Sequence, residues 1–127
     1  MTVKTMKPSE EAHMNYADLN HYIDGAWVQP TGSRSQDVVN PATNAPIGKL
    51  GLASRGDLDK ALAAADKGFK AWRRVSAFER GKILRKAADN VRASADDIGK
   101  RLTLEQGKIF AEARMELLSA ADIIDWF

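Results

Sequence analysis

The apolar side chains between positions 54 and 127 recur every three or four residues, which constrains the fold more than any other feature of this chain. Such spacing places the apolar residues on one side of an α-helix. Serines that are followed three residues later by an acid divide this region into segments. These pairs are Ser54 with Asp57, Ser76 with Glu79, and Ser94 with Asp97. Their spacing is typical of a capping box, in which the serine side chain accepts a hydrogen bond from an early helical N–H.

The period predicts four helices in succession. Their apolar stripes are Leu58, Leu62, Ala65, Phe69 and Trp72; then Leu84, Ala87, Ala88 and Val91; then Ile98 and Leu102; and finally Phe110, Ala113, Leu117, Ala120, Ile124 and Phe127. Gly107 suits the left-handed residue that ends the third helix. The last stripe still runs at Phe127 without a Gly, Asn or Pro stop signal, so we expect the chain to be truncated within a helix.

Two short β-hairpins are predicted ahead of the helices. Asp24-Gly25 lies between two β-prone runs and supplies the positive φ angles of a tight turn. A second pair of strands, over 37–40 and 47–50, flanks the turn-forming stretch 40–46. Residues 1–18 show no sustained period. We therefore predict a flexible tail over 1–18, a hairpin region over 19–52 and a helical region over 53–127.

The residues offer no catalytic constellation. The chain has no cysteine, which excludes a thiolate nucleophile and thiolate metal ligands. His13 and His21 have no partners at zinc-ligand spacing. The Gly48–Gly51 stretch matches neither of the glycine-rich phosphate-binding motifs. The residues alone therefore predict an α+β piece without an active site.

A basic cluster is the best evidence in the sequence for a different class of function, nucleic-acid binding. Its members are Arg73, Arg74, Arg80, Lys82, Arg85, Lys86 and Arg92. No aromatic residues are interleaved for base stacking, and Asp66, Glu79 and Asp89 dilute the positive charge. We therefore expect a solvated helix face and no nucleic-acid partner.

No membrane partner is expected either. No apolar run approaches the ~18 residues that span a bilayer. The N-terminal stretch is polar and acidic, unlike a signal or transit peptide. We expect a cytoplasmic protein.

A series of short motifs over 21–127 resembles the N-terminal portion of the aldehyde dehydrogenase superfamily. The motifs are Tyr22–Val28, Val39–Thr43, Ile47-Gly48, Asp57–Ala65, Phe69–Trp72, Glu79-Arg80, Leu102–Lys108 and Ala111–Arg114. The last two are most similar to the succinate-semialdehyde dehydrogenase branch. Two residues depart from the family's pattern, since the family usually has Pro in place of Ile109 and Gly in place of Met115.

The resemblance implies an α/β parent enzyme with coenzyme, catalytic and oligomerisation parts, which oxidises an aldehyde to a carboxylic acid with NAD or NADP. This segment would be two short hairpins and about four helices of the NAD(P)-binding domain, and the parent would be a homo-oligomer. The family's cysteine, glutamate, asparagine and coenzyme-binding loop have no counterpart here. No catalytic or coenzyme-binding residue is therefore assigned, and the chain alone is expected to bind no coenzyme and to be inactive.

One set of ligands is implied by the resemblance. Some family members hold a structural monovalent cation through main-chain oxygens ahead of the Asn-Pro and an acidic side chain ahead of the Gly-Lys. The matching positions are Val38, Val39 and Glu105. Two alternatives to an enzyme segment stay open at this point: a stand-alone, non-catalytic helical interaction module, and the basic nucleic-acid binder.

Overall fold

A computed structural model of the chain describes residues 19–127, and the predicted tail over 1–18 lies outside the described residues. The described part begins with hairpin 1, formed by β1 (His21–Ile23) and β2 (Ala26–Val28). Its turn residues have positive φ angles, 51° at Asp24 and 83° at Gly25, as the Asp-Gly pair predicts. Tyr22 pairs with Trp27, and their ring centroids lie 5.1 Å apart.

Hairpin 2 consists of β3 (Ser35–Asn40) and β4 (Ala45–Gly51), two strands that run slightly longer than the sequence predicts. The Asn40 side chain is buried, and its Oδ1 accepts a hydrogen bond of 2.9 Å from the Ala42 N–H in the turn. The register shifts between Val38 and Val39, and Val39 faces Pro46, which has no N–H to donate.

The two hairpins are joined by a parallel bridge between Leu19 and Leu50. The His21 ring adds a hydrogen bond, because Nε2 lies 3.1 Å from the Gly51 carbonyl oxygen and must donate to it. His21 therefore holds hairpin 1 against the end of β4.

The four predicted helices are present in the described residues: α1 (Arg55–Trp72), α2 (Ala77–Ala93), α3 (Ala95–Gln106) and α4 (Phe110–Trp126). The capping box at Ser54 and Asp57 is complete in both directions. Ser76 accepts from the Glu79 N–H at 3.2 Å. Gly107 ends α3 with a φ of 70°, and its N–H donates to the Thr103 oxygen at 2.9 Å.

The predicted capping role of Ser94 is wrong, because its side chain makes no cap hydrogen bond. A single residue separates α2 from α3, so Ser94 also ends α2, and its N–H donates to the Asn90 and Val91 oxygens. This leaves it with φ −102° and ψ 6°, whereas a capping serine needs an extended backbone.

The core lies where α4 packs between α2 and α3, and small side chains dominate it. The buried apolar residues of the described chain are Ala88, Ala95, Leu104, Ala113 and Ala121. Gly99 permits close approach, since a Cβ there would lie 3.3 Å from the Phe110 ring and 3.4 Å from the Arg114 nitrogen. The inward residues predicted for α2 are all at least partly protected, and Ala88 is fully buried.

Helix α1 lies outside this helical core, and its principal neighbour among the described elements is β1. Lys67 reaches Asp24 in the turn of hairpin 1, with Nζ 3.1 Å from the carboxylate. Among residues 19–127, none of the helices is both long enough and apolar enough to cross a bilayer.

Candidate functional site

The most densely hydrogen-bonded cluster of side chains joins the loop after hairpin 1 to the start of α1. The Thr31 N–H donates to Asp57 Oδ2 at 2.9 Å, and the Thr31 hydroxyl lies 2.8 Å from both carboxylate oxygens. The Ser54 N–H donates to the same Oδ2 at 2.9 Å, while Ser54 Oγ accepts from the Asp57 N–H at 3.1 Å. We call Thr31, Ser54 and Asp57 the cap cluster.

The hydroxyl protons of the cap cluster can be assigned from these contacts. The Oγ atoms of Thr31 and Ser54 lie 2.7 Å apart, and either could donate. Because Thr31 gives its single hydroxyl proton to the carboxylate, Ser54 is the donor between the two hydroxyls.

These donors hold the pKa of Asp57 well below its ordinary value. The backbone hydrogen bond from Ser54 is the main cause, followed by the backbone and side-chain bonds from Thr31, and all of them outweigh the opposing effect of burial. Only 3% of Asp57 is exposed. A buried carboxylate with so low a pKa is a poor proton acceptor, so it anchors the loop and does not serve as a general base.

Two glycines let the loop approach the chain ahead of α1. A Cβ on Gly32 would lie 2.0 Å from the Leu52 carbonyl oxygen, and one on Gly51 would lie 2.7 Å from the Pro30 ring. An open depression of about 360 Å³ lies here, lined by Thr31–Arg34 and Leu52–Ser54. Arg34 is the one charged residue of this lining, so no acid–base pair converges in it.

The residues proposed for a cation lie on two elements that contact each other, β3 and α3. Val38 and Val39 flank the register shift of hairpin 2. Glu105 lies in the last turn of α3 and is exposed. The end of α3 reaches hairpin 2, since a Cβ on Gly107 would lie 3.1 Å from the Pro41 ring.

The candidate cation ligands are all oxygen atoms. Within residues 19–127 no three His, Cys, Asp or Glu side chains gather into a metal site. One carboxylate and backbone carbonyl oxygens are hard ligands, and Pro46 opposite Val39 has no N–H that would occupy such an oxygen.

Acidic neighbours partly neutralise the members of the basic cluster that lie on α2. Arg92 contacts Asp122 at 2.9 Å, Asp89 at 3.5 Å and also Asp125. The hydrogen bonds that Arg92 donates to Asp122 and then to Asp125 raise the pKa of Arg92 further above its ordinary value. Lys82 lies 2.9 Å from Glu79 and covers the Phe78 ring.

Sequence reasoning missed two of these relationships. It identified Asp57 as a capping residue but not Thr31 as its partner, and it placed Arg92 on a basic face without its contacts on α4. Neither pairing leaves a local signal, because the partners lie 26 and 30 or more positions apart.

The amino-acid sequence matches a known family. The sequence model of the family described as the aldehyde dehydrogenase family matches residues 27–127. The chain belongs to the aldehyde dehydrogenase family. The resemblance noted from the motifs is thereby confirmed, and the matched part of the relatives is their N-terminal region.

The curated relatives are much longer than this chain. It is 40% identical over 106 residues to glutarate-semialdehyde dehydrogenase of Pseudomonas aeruginosa, an alignment that covers 84% of this chain and 22% of the relative. This chain therefore spans about 22% of the length of that aldehyde dehydrogenase.

Solved aldehyde dehydrogenases share the fold. An NAD-dependent benzaldehyde dehydrogenase from Corynebacterium glutamicum superposes with a TM-score of 0.80 at 28% identity, over 88% of this chain and 24% of the other. A betaine aldehyde dehydrogenase from Staphylococcus aureus, solved in complex with NAD+, gives a TM-score of 0.79 at 25% identity, over 86% of this chain and 22% of the other. The predicted fold class is confirmed.

Proposed function

We propose that this chain is the N-terminal segment of an NAD(P)-dependent aldehyde dehydrogenase and forms part of the scaffold of its coenzyme-binding domain. The family match over residues 27–127 carries this proposal. The described side chains support a scaffold role, because the most highly connected polar groups join one element to another. The chain alone would not oxidise aldehydes, since it has no cysteine to form the covalent intermediate.

The substrate we propose is a semialdehyde that carries a carboxylate. Thr103–Lys108 and Ala111–Arg114 are similar to the succinate-semialdehyde branch. Relatives from two Pseudomonas species are named glutarate-semialdehyde dehydrogenase, which differs from the succinate enzyme by one methylene in the substrate. Both observations favour an aldehyde with a terminal acid.

The coenzyme, assembly and location of the whole protein are part of the same proposal. NAD is supported by the benzaldehyde and betaine aldehyde enzymes, whose structures resemble this chain. The family resemblance favours a homo-oligomer, and we place it in the cytoplasm, as expected from the sequence.

A chimera tests the proposed function directly. The 106-residue aligned segment of the Pseudomonas aeruginosa enzyme would be replaced by the corresponding residues of this chain. We expect the purified chimera to reduce NAD or NADP with succinate semialdehyde or glutarate semialdehyde, and the 127-residue chain to show no turnover. A folded chimera that forms no reduced coenzyme with any aldehyde would contradict the proposal.

The cation site belongs to this proposal as a separate part. The backbone oxygens of Val38 and Val39, with the Glu105 carboxylate, would hold a monovalent cation whose role is structural. In the chimera, replacing Na+ and K+ by a large organic cation should lower the melting temperature. Glu105→Gln should remove that dependence, whereas Glu112→Gln, at an exposed acid on α4, should retain it. An unchanged dependence in Glu105→Gln would argue against the site.

A further inference from the structure

Helix α1 presents three different faces. Small residues, Ala61 and Ala64, are its most protected side chains after Asp57 and mark the side turned toward hairpin 1. The ion pairs Arg55–Asp59 and Asp66–Lys70 lie on the opposite side, about 180° away at 3.6 residues per turn. Between these two lies the α1 stripe, which consists of Leu58, Leu62, Ala65, Phe69 and Trp72.

The α1 stripe is apolar and open. Leu58 is 48% exposed, Leu62 60% and Phe69 63%. The stripe runs from Leu58 to Trp72, which is 15 residues, and its 14 steps of 1.5 Å each give roughly 21 Å of helix. A helix in water gains most of its stability from packing its apolar face. Among residues 19–127 the principal neighbour of α1 is β1. Of the large side chains in the stripe, Phe69 has the Arg73 guanidinium 5.8 Å from its ring centroid, yet it remains largely exposed.

We propose that the α1 stripe is the docking face for the part of the aldehyde dehydrogenase polypeptide that lies outside this chain. The inference rests on the proposed function. This chain accounts for only 24% of the benzaldehyde dehydrogenase whose fold it shares at a TM-score of 0.80. The same hairpins and helices therefore exist in a protein that contains about three times as much additional chain, so that additional chain is the partner available to this face.

A second copy of the chain fits the α1 stripe less well. Its four large side chains, each about half open, present on the order of 400 Å². A specific interface between separate proteins takes roughly 800 Å² from each partner. A segment of the same polypeptide needs less area, because the covalent connection keeps its effective concentration high.

The test uses thiol labelling at two neighbouring positions. Leu62→Cys places a thiol in the α1 stripe, and Ala63→Cys places one on an exposed position one residue away, on another face. The chain has no cysteine of its own, so each variant carries one thiol. Trypsin cleaves after Lys60 and Lys67, so mass spectrometry of peptide 61–67 reports either label, also in the chimera with its other cysteines.

In the 127-residue chain we expect maleimide to modify both cysteines at similar rates, independent of protein concentration. In the chimera, Leu62→Cys should react at least tenfold more slowly than Ala63→Cys. Equal rates in a chimera that oxidises aldehydes would overturn this inference and leave the proposed function standing. Protection of Leu62→Cys that grows with the concentration of the 127-residue chain would assign the face to a second copy and would also overturn it.

In a chimera that is folded but inactive, the labelling rates test the docking face after the proposed function has failed. Slow labelling of Leu62→Cys there would support the docking face, although the proposed function would have failed. Fast labelling would reject both.

Discussion

Thr31 and Asp57 lie 26 positions apart, yet the backbone N–H and the hydroxyl of Thr31 both donate to the Asp57 carboxylate, at 2.9 and 2.8 Å. The carboxylate that caps α1 is therefore also the anchor of the loop that follows hairpin 1. A capping box alone would satisfy donors of the helix end. Here the same box connects the hairpin region to the helical region, so a change at Thr31 acts on both.

Replacing Thr31 by valine should destabilise the chain by about 2 kcal/mol, because the variant loses a hydrogen bond to a charged group and leaves a buried oxygen with fewer donors. Urea unfolding followed by circular dichroism measures this change. Thr43→Val is the matched control, since the Thr43 hydroxyl accepts only one exposed bond, of 3.3 Å, from Ala45. We expect the control to change stability by less than ~0.5 kcal/mol. Similar losses of stability in both variants would show that the hydrogen bonds of Thr31 in the cap cluster contribute no more than the single exposed bond of Thr43.

Acidification should lower the free energy of unfolding through the protonation of Asp57. Its pKa in the folded chain is lowered from the ordinary 3.8, so the unfolded chain takes up this proton at a higher pH than the folded chain does. The stability that Asp57 contributes is therefore fully present above about pH 4, and it is lost as the pH falls from there through the lowered folded pKa.

The measurement is the free energy of unfolding at several pH values between 6 and 2.5. Asp57→Asn has no proton to gain, so it should lose less stability on acidification than the unsubstituted chain. Asp59→Asn removes a carboxylate that neither Thr31 nor Ser54 contacts, and it should keep the original dependence. Parallel curves for all three proteins would contradict this role of Asp57.

Local structure followed directly from the sequence. The Asp24-Gly25 turn, the capping box at Ser54 and the left-handed Gly107 were all predicted, because each depends on hydrogen bonds or φ angles within a few residues. The inward residues of α2 followed from the same kind of argument, since the helical period fixes which side chains share a face.

Contacts between distant elements did not follow from the sequence. The period predicts the α1 stripe, but it cannot say that Ala61 and Ala64, one face away, are the residues turned toward hairpin 1. Thr31 and Arg92 find their partners only once the elements pack. The cap predicted at Ser94 was wrong for a related reason, because the pattern did not show that α2 would run up to that residue. The cation candidates Val38, Val39 and Glu105 came from the family resemblance and from no local signal.

Two glycine substitutions should have opposite effects on stability. Gly32→Ala would place a methyl group 2.0 Å from the Leu52 carbonyl oxygen, which is backbone and has little room to move. We expect a loss of roughly 1–3 kcal/mol, the usual cost of overpacking. Gly81→Ala, inside α2 with nothing within 4 Å of the new Cβ, should instead stabilise the chain by roughly 0.5–1 kcal/mol. Urea unfolding distinguishes these outcomes, and a stabilising Gly32→Ala would mean that the loop does not pack against Leu52.

Because Arg92 on α2 contacts acidic residues on α4, its contribution to the stability of the packed helices should depend on the salt concentration. Its guanidinium group lies 2.9 Å from Asp122 and also contacts Asp125, so Arg92→Met leaves two neighbouring carboxylates on α4 without their cation. Asp125 lies in the last turn of α4, where a negative charge opposes the helix dipole, and losing Arg92 should therefore lower the melting temperature at low ionic strength. Because these groups are partly open to solvent, 1 M NaCl should screen them and shrink the difference in melting temperature between the variant and the original chain.

The control is Arg85→Met, on the exposed side of α2, which should have a smaller effect at both salt concentrations. A difference for Arg92→Met that does not change with salt would mean that packing of its aliphatic stem, and not its charge, joins the two helices.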